Sequence, residues 1–447
     1  MLCAIPIEIC NRELDGIIYL ALHLAKKGMP TLLGERMVHE YIFRINANEP
    51  VIYFDSDFSP TVGKKVISTG GVVFNLSAEG LVKKEWKGLP IYRNISDSVT
   101  TICAWGEETA DVIKTALPED KTSLVEVTGY PSFDLMFDKF SPYYISEKIV
   151  AEHGDNYLMV NTNFARFNLK MSLDKYLKML GKMDEWKLYN TPEMQKGIME
   201  EWNNQKNLFS EFKQLVQALS REFPDRHIVV RPHPMEGLQL YKDCFKDLPN
   251  VFVTNDSPVR HWISSAGAVI HHDCTTGAEA LAMNKLVIGY RPIFNKKKTC
   301  RIMSKIGVHA TTTKEVIQAV HAGTMPEEQR LLQLEALHPF FANFGQTAAE
   351  HIASLAATHA EPTKVWLPKP LNLFENIKCW RKHVSKILRS YQPGHNGRKV
   401  RYALDKFPRL PFAEIENRVT RLQAIEPDLP PVEVTSLALN TFLIAPK

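Results

Sequence analysis

A chain of 447 residues exceeds what one hydrophobic core organises, so two domains and an appendage are expected. Apolar content of 45%, charged content of 23% and a net charge of only +4 describe a globular protein and give no argument for nucleic acid. Seven scattered cysteines without a CxxC pair exclude a disulfide scaffold and suit reduced thiols; no apolar run approaches the ~20 residues of a membrane span.

Taken in order, residues 1–9 are apolar apart from Glu8 and lack a basic start, so they read as a strand (Cys3 to Ile9) rather than a signal peptide. Leu14, Ile17, Ile18, Ala21, Leu22, Leu24 and Ala25 then recur at helical spacing up to Gly28. Between strand and helix stand Glu8, Asn11, Arg12 and Glu13. Asn11 can cap the helix with Glu13 favouring its positive end, or the four groups can face a ligand. Strand-like runs follow at Thr31–Leu33, Val51–Phe54, Val72–Leu76, Thr101–Trp105 and Leu124–Val127, with helical stretches between most of them, which predicts a parallel sheet covered on both faces. Glu79, just past the run at 72–76, is a candidate base or nucleophile, or a solvated loop residue. Asp55-Ser56-Asp57 offers too few carboxylates for a Mg²⁺ site, and His271-His272 point to opposite faces of a strand, so no metal is assigned.

A second series starts at Tyr157–Val160, is interrupted by a helical insert over about 173–223, and resumes at His227–Val230, Val251–Thr254, Ala268–Ile270 and Leu286–Tyr290. Residues 313–359 read as helices. The expected organisation is two doubly wound Rossmann-like domains, 1–150 and 151–360, facing a cleft, then a basic tail over 361–447. No GxGxxG follows the first strand and no GxxxxGK[ST] occurs, which argues against a dinucleotide oxidoreductase and a P-loop enzyme.

Two runs carry the functional signal. Arg231-Pro232-His233-Pro234 ends a strand, because neither proline can continue a ladder. An Arg fork suits phosphate oxygens and a His can donate a hydrogen bond or a proton; the bland alternative is a turn whose Arg meets a nearby carboxylate. Asp273-Cys274-Thr275-Thr276-Gly277-Ala278-Glu279 follows another strand and opens a helix. Thr276 and Glu279 have capping-box spacing, yet Gly277 allows close approach, Thr275 can point at a phosphate and Glu279 at a ribose hydroxyl. Asn161, just past Val160, is placed with this donor-binding set. Late in the chain, residues 376–410 hold ten Lys or Arg and one acid (Asp405), a local net of +9. The interleaving of these with Trp380, Ile387, Leu388 and Tyr391 from Phe374 on suits an anionic leaflet, or a solvated basic face.

Ile7-Glu8 … Asn11-Arg12-Glu13-Leu14, Tyr53-Phe54-Asp55, Glu79-Gly80, Trp105-Gly106, Val127-Thr128-Gly129-Tyr130-Pro131-Ser132-Phe133-Asp134, Arg231-Pro232-His233-Pro234 and Cys274-Thr275-Thr276-Gly277-Ala278-Glu279-Ala280 occur in that order. This series resembles the bacterial surface carbohydrate biosynthesis proteins over about residues 1–355, and Lys406-Phe407-Pro408 also fits. That family is similar to GT-B glycosyltransferases using CMP-activated ulosonic acids, such as Kdo transferases and retaining pseudaminic acid transferases of capsule assembly.

The resemblance implies that His233-Pro234 and the Thr275-Thr276 hydroxyl pair contact the donor phosphate beside Arg231, Gly277, Glu279 and Asn161. Glu79, Glu8 and His233 are then the candidate catalytic groups, although Ala78 stands where related sialyltransferases carry an acid. Asn11, Arg12, Glu13 and Arg291 are candidates for the acceptor or the sugar carboxylate. A CMP-sugar leaves as one phosphate monoester, so no metal cofactor is expected. The partners implied are a CMP-sugar donor and a lipid-linked or oligosaccharide acceptor, and the basic stretch over 374–410 adds an anionic membrane surface as a further partner, for a cytoplasmic protein at the inner face of the membrane. Alternatives are a CDP-glycerol-type polyol phosphate transferase, a UDP-sugar epimerase of the same fold, and a non-catalytic capsule-assembly binding protein.

Overall fold

The computed structural model describes the chain apart from residues 37–48, 57–58, 78–88, 169–191, 273, 294–302, 343–346, 361–366 and 393–394. Glu79, Asp57, Asp273 and much of the expected insert therefore lie outside the described residues. The chain divides into two compact units, Met1–Leu135 with His338–Lys447, and Met136–Leu337. The boundary expected near 150 thus falls earlier, and the segment expected as a separate tail belongs to the first unit.

The first unit opens with β1 (Leu2–Ile7), whose six residues are all buried, then α1 (Cys10–Lys26) and β2 (Thr31–Glu35). β3 (Val51–Asp55), β4 (Val72–Asn75), β5 (Thr101–Ala104) and β6 (Val125–Val127) follow, with α2 (Pro60–Ser68), α3 (Ile91–Ile95) and α4 (Glu107–Lys114) in the crossovers and α5 (Pro131–Asp134) at the end. β1 to β6 are mutually parallel, and near-continuous apolar runs are what a sheet buried on both faces requires.

In the second unit, α6 (Ser141–Tyr144) and α7 (Glu147–His153) precede β7 (Tyr157–Asn161). α8 (Pro192–Glu222) presents Leu208, Phe212, Leu215 and Leu219 to the core at helical spacing. β8 (Ile228–Arg231), α9 (Leu238–Phe245), β9 (Val251–Val253), α10 (Val259–Ser265), β10 (Ala266–His271), α11 (Thr276–Ala282), β11 (Leu286–Tyr290), β12 (Val308–Ala310), α12 (Thr313–Ala322) and α13 (Glu327–Leu337) complete it. Its six strands run in the order β12-β11-β10-β7-β8-β9, all parallel.

The chain then returns to the first unit through α14 (Ala348–Thr358), α15 (Leu373–Ser390), α16 (His395–Lys406) and α17 (Phe412–Ile425), and closes with β13 (Val432–Ala438) and β14 (Thr441–Pro446). β14 pairs antiparallel with β2, so the first sheet has eight strands in the order β13-β14-β2-β1-β3-β4-β5-β6. The approach is close: a Cβ at Gly34 would sit 2.3 Å from the Asn440 carbonyl oxygen. Asn440, left-handed at φ 54, makes the hairpin turn, and its side chain donates to Glu35 Oε2 (3.1 Å) and accepts from the Leu410 amide (2.9 Å).

The Val127–Asp134 run is structural. Trp105 stacks on Tyr130, and Asp134 accepts from the Ala348 and Ala349 amides (2.9 and 2.8 Å) at the start of α14. A buried carboxylate at a helix N-terminus satisfies orphan amides and meets the positive end of the helix. Asp134→Ala would strip both amides of their acceptor, and we expect a loss of about 1–3 kcal/mol in urea denaturation; an unchanged midpoint would show that this cap does not hold the returning segment.

Candidate functional site

In the second sheet β7 sits between β8 and β10, with the chain winding outward in opposite directions from it. Ligands of open parallel sheets bind outside the carboxyl ends at such a switch point. The register puts three polar residues in one row there: Arg231 ends β8 opposite Asn161 of β7, and Asn161 lies opposite His271 of β10. The two sequence runs singled out above therefore meet at one edge of one sheet.

Asn161 is buried, and its Nδ2 donates to Thr276 Oγ1 at 2.7 Å across the switch point. Its Oδ1 has no hydrogen-bond partner among the described residues, and neither has Nε2 of the fully buried His271. Exchanging the Asn161 amide O and N turns the Thr276 hydroxyl from acceptor to donor within the pair, so Thr276 Oγ1 can offer a ligand either a hydrogen or a lone pair. Thr275, the N-cap of α11, is exposed; Thr276 is half-buried at the first helical position.

His233 and Pro234 lie in the turn beyond β8, His233 half-buried and Pro234 exposed. The His233 Nδ1 accepts from the Met235 amide at 3.3 Å, and its own amide donates to Glu236 Oε1 at 3.0 Å. Glu236 is the hub of this turn. It is wholly buried, accepts from Thr162 Oγ1 (3.0 Å) and from the Tyr241 hydroxyl (2.5 Å), and burial pushes its carboxyl above the usual range. Neither Glu236, Thr162 nor Tyr241 stood out in the sequence; the only signal was a carboxylate two positions past the proline pair.

Several expected roles take a different form. Arg231 is buried, with NH1 donating to the Asp256 carbonyl (2.8 Å), NH2 to the Ser257 carbonyl (3.1 Å), and its guanidinium 5.1 Å from the Trp262 ring centroid. Burial brings its pKa down to about 10, which leaves it a cation at neutral pH. It fastens the loop after β9 instead of projecting from the strand. Arg291 is likewise buried, donating to the carbonyls of Gly289 (3.2 Å) and Met303 (2.6 Å). Glu279 pairs with Arg260 (Nε to Oε2, 2.9 Å), and α11 has no side-chain cap, so the capping box is not formed. Gly277 makes room for protein: a Cβ there would lie 2.6 Å from His271 Nε2. The amides of Cys274, Gly277, Ala278 and Glu279 are all bonded within the turn, to His271 Nδ1, Cys274 O, Thr275 O and Thr275 O.

In the first unit, Ile9 and not Asn11 is the N-cap of α1. Glu13 is buried and accepts from the Glu8 and Ile9 amides (3.2 and 3.1 Å), with Arg12 NH2 at 3.6 Å. It is a cap, with its carboxyl raised by burial. Asn11 is exposed. Glu8 pairs with Lys406 of α16, so its carboxylate already holds a cation. Among the described residues no group of three His, Cys, Asp or Glu is placed to hold a metal ion.

No family model matches this chain, and no curated relative matches it. Solved structures similar to it include the UDP-GlcNAc 2-epimerase of Methanocaldococcus jannaschii (12% identity, TM-score 0.49, 80% of this chain and 100% of that one). Another is the UDP-GlcNAc 2-epimerase from Neisseria meningitidis bound to UDP-GlcNAc (11%, 0.45, 80% and 98%). The wall teichoic acid polymerase TagF is also similar (10%, 0.40, 72% and 84%).

Gly277→Ala should force His271 out of its seat and cost about 1–3 kcal/mol in chemical denaturation; wild-type stability would show that the ring does not rest on this glycine. Burial, with the Arg291 charge second, pulls the His271 pKa down to about 3. The unfolded chain takes up the proton first as pH drops below about 6.5, so this contribution is complete above that pH and is lost as pH falls towards 3. Stability of the wild type should therefore fall more steeply than that of His271→Gln in acid, by up to about 1.4 kcal/mol per pH unit. Urea denaturation across that range measures the two slopes, and parallel slopes would contradict the assignment.

Proposed function

We propose that the chain is a nucleotide-sugar-dependent enzyme of bacterial surface carbohydrate synthesis, whose second unit holds the activated phosphate at the β7/β10 switch point. The observation that carries this reading is the Asn161–Thr276 hydrogen bond across that switch point, with the His233 turn at the end of the adjoining strand. In this reading Asn161, Thr275, Thr276 and His233 supply donors to the phosphate, while Arg231 and Glu236 hold the two loops that carry them.

The residue resemblance favours a CMP-linked nonulosonic acid or Kdo as donor and a glycan as acceptor. The bond from the anomeric carbon to the phosphate oxygen breaks, CMP leaves with the electron pair, and the acceptor hydroxyl oxygen bonds that carbon while its proton passes to a carboxylate base, Glu79 by the resemblance. The departing phosphate gains charge, so donors fixed before the reaction stabilise the transition state more than the ground state. Glu79, nominated by the resemblance as the catalytic carboxylate, is tested by turnover of Glu79→Gln. The second reading is 2-epimerisation of a UDP-linked sugar, the reaction named for the Methanocaldococcus and Neisseria chains. It needs no acceptor and releases no nucleotide as product.

Thermal-shift measurements with CMP, CDP and UDP sort the donor, because a ligand held only by the folded state adds about 2.7 kcal/mol at a hundred times its Kd. CMP should raise the melting temperature most. Thr276→Val should raise the Kd read from that response about tenfold or more, the cost of one charge-assisted hydrogen bond. A preference for UDP, with turnover of UDP-GlcNAc alone followed by NMR, would select the epimerase instead. No response to any of the three nucleotides would end the nucleotide-sugar reading.

A further inference from the structure

The helix α15 carries an apolar stripe that stays largely exposed. At 3.6 residues per turn, Leu373, Ile377, Trp380, Val384 and Leu388 fall on one line, and all five are exposed, Leu373 by 78% and Leu388 by 65%. Phe374 at one end and Tyr391 just past the other are exposed as well. Eighteen residues make a rod of about 27 Å. A groove of about 310 Å³ lined by Trp380, Arg409, Pro411 and Phe412 continues the stripe sideways.

The rotation of this helix about its own axis is fixed. Asn372 and Glu375 form a reciprocal capping box at its start. The opposite flank buries Cys379, His383 and Ser390. Lys386 pairs with Glu35 at 3.1 Å, and just before the helix the Leu371 amide donates to the Leu437 carbonyl at 2.9 Å. The stripe is therefore held outward by contacts to the first unit, and cannot be turned inward without breaking them.

Cations flank it. Lys378, Arg381, Lys382 and Arg389 are exposed and follow the stripe on one side of the helix at about 100° per residue, Lys378 lies 4.5 Å from the Phe374 ring centroid, and exposed Arg409 lies 5.2 Å from that of Trp380. The helix carries five Lys or Arg against one acid, Glu375. A line of aliphatic and aromatic side chains with a border of cations matches the boundary between acyl chains and anionic headgroups. Nucleic acid would use the cations but leave the aliphatic stripe in water. A second copy meeting the same face would bring two cationic borders together.

We propose that α15 docks this protein on an anionic bilayer surface, lying in the plane of the interface with Leu373, Ile377, Trp380, Val384 and Leu388 towards the acyl chains. This is independent of the nucleotide held by the second unit. The test is co-sedimentation of the full chain with phosphatidylcholine vesicles, with and without roughly one third phosphatidylglycerol. The wild type should partition onto the anionic vesicles and be released by high salt. The double variant Ile377→Asp/Leu388→Asp, altered only at exposed positions and checked by circular dichroism, should lose tenfold or more in partitioning. Lys382→Glu/Arg389→Glu should lose the preference for anionic over neutral vesicles. Failure of the wild type to bind anionic vesicles, or equal binding by Ile377→Asp/Leu388→Asp, overturns the proposal. A wild-type dimer in gel filtration that the same double variant dissociates overturns it too, and assigns the stripe to a second copy.

Discussion

The second unit is organised by one register: Arg231, Asn161 and His271 end three adjacent parallel strands side by side. After β7 the chain turns towards β8 and after β10 towards β11, so the segments that follow these two neighbouring strands diverge from the seam between them. Asn161 and Thr276 bridge that seam with a single hydrogen bond. Sequence segments more than a hundred residues apart are thereby brought within reach of one ligand-sized group.

Most charged residues at the two strand ends hold loops in shape. Arg231 and Arg291 donate to main-chain carbonyls of Asp256, Ser257, Gly289 and Met303 and so hold those segments in place. Glu236 and Glu13 accept from amides and hydroxyls in the same way. A buried ion costs too much to be left idle, so each is surrounded by dipoles. At the β7/β10 seam stands exposed Thr275, with half-buried Thr276 and buried Asn161 behind it and the His233 turn at the end of the adjoining strand.

The parallel strands were legible in the sequence because buried strands of a covered sheet are unbroken apolar runs; β1, β3, β7, β10 and β11 lie where those runs stand. β13 and β14 were not, since β13 is half-exposed at the sheet edge and its pairing partner, through β14, is β2 at the far end of the chain. The basic stretch was visible, but its division into α15 and α16 and its attachment through Lys386 and Lys406 to Glu35 and Glu8 depend on tertiary contacts. The same limit applies within the site. The Arg231 run and the Thr276 run were found from residue type, and the row in which they meet follows from strand order. Which way Arg231 turns, and that Gly277 faces His271, depend on neighbours no local pattern encodes.

The phosphate's place at the ends of β7 and β10 is best checked by a crystal structure of the chain with CMP or UDP bound. The expected result is a phosphate within hydrogen-bond distance of Thr276 and the Asn161 amide, with the His233 turn beside it. A nucleotide seated away from the ends of β7 and β10 would contradict the account.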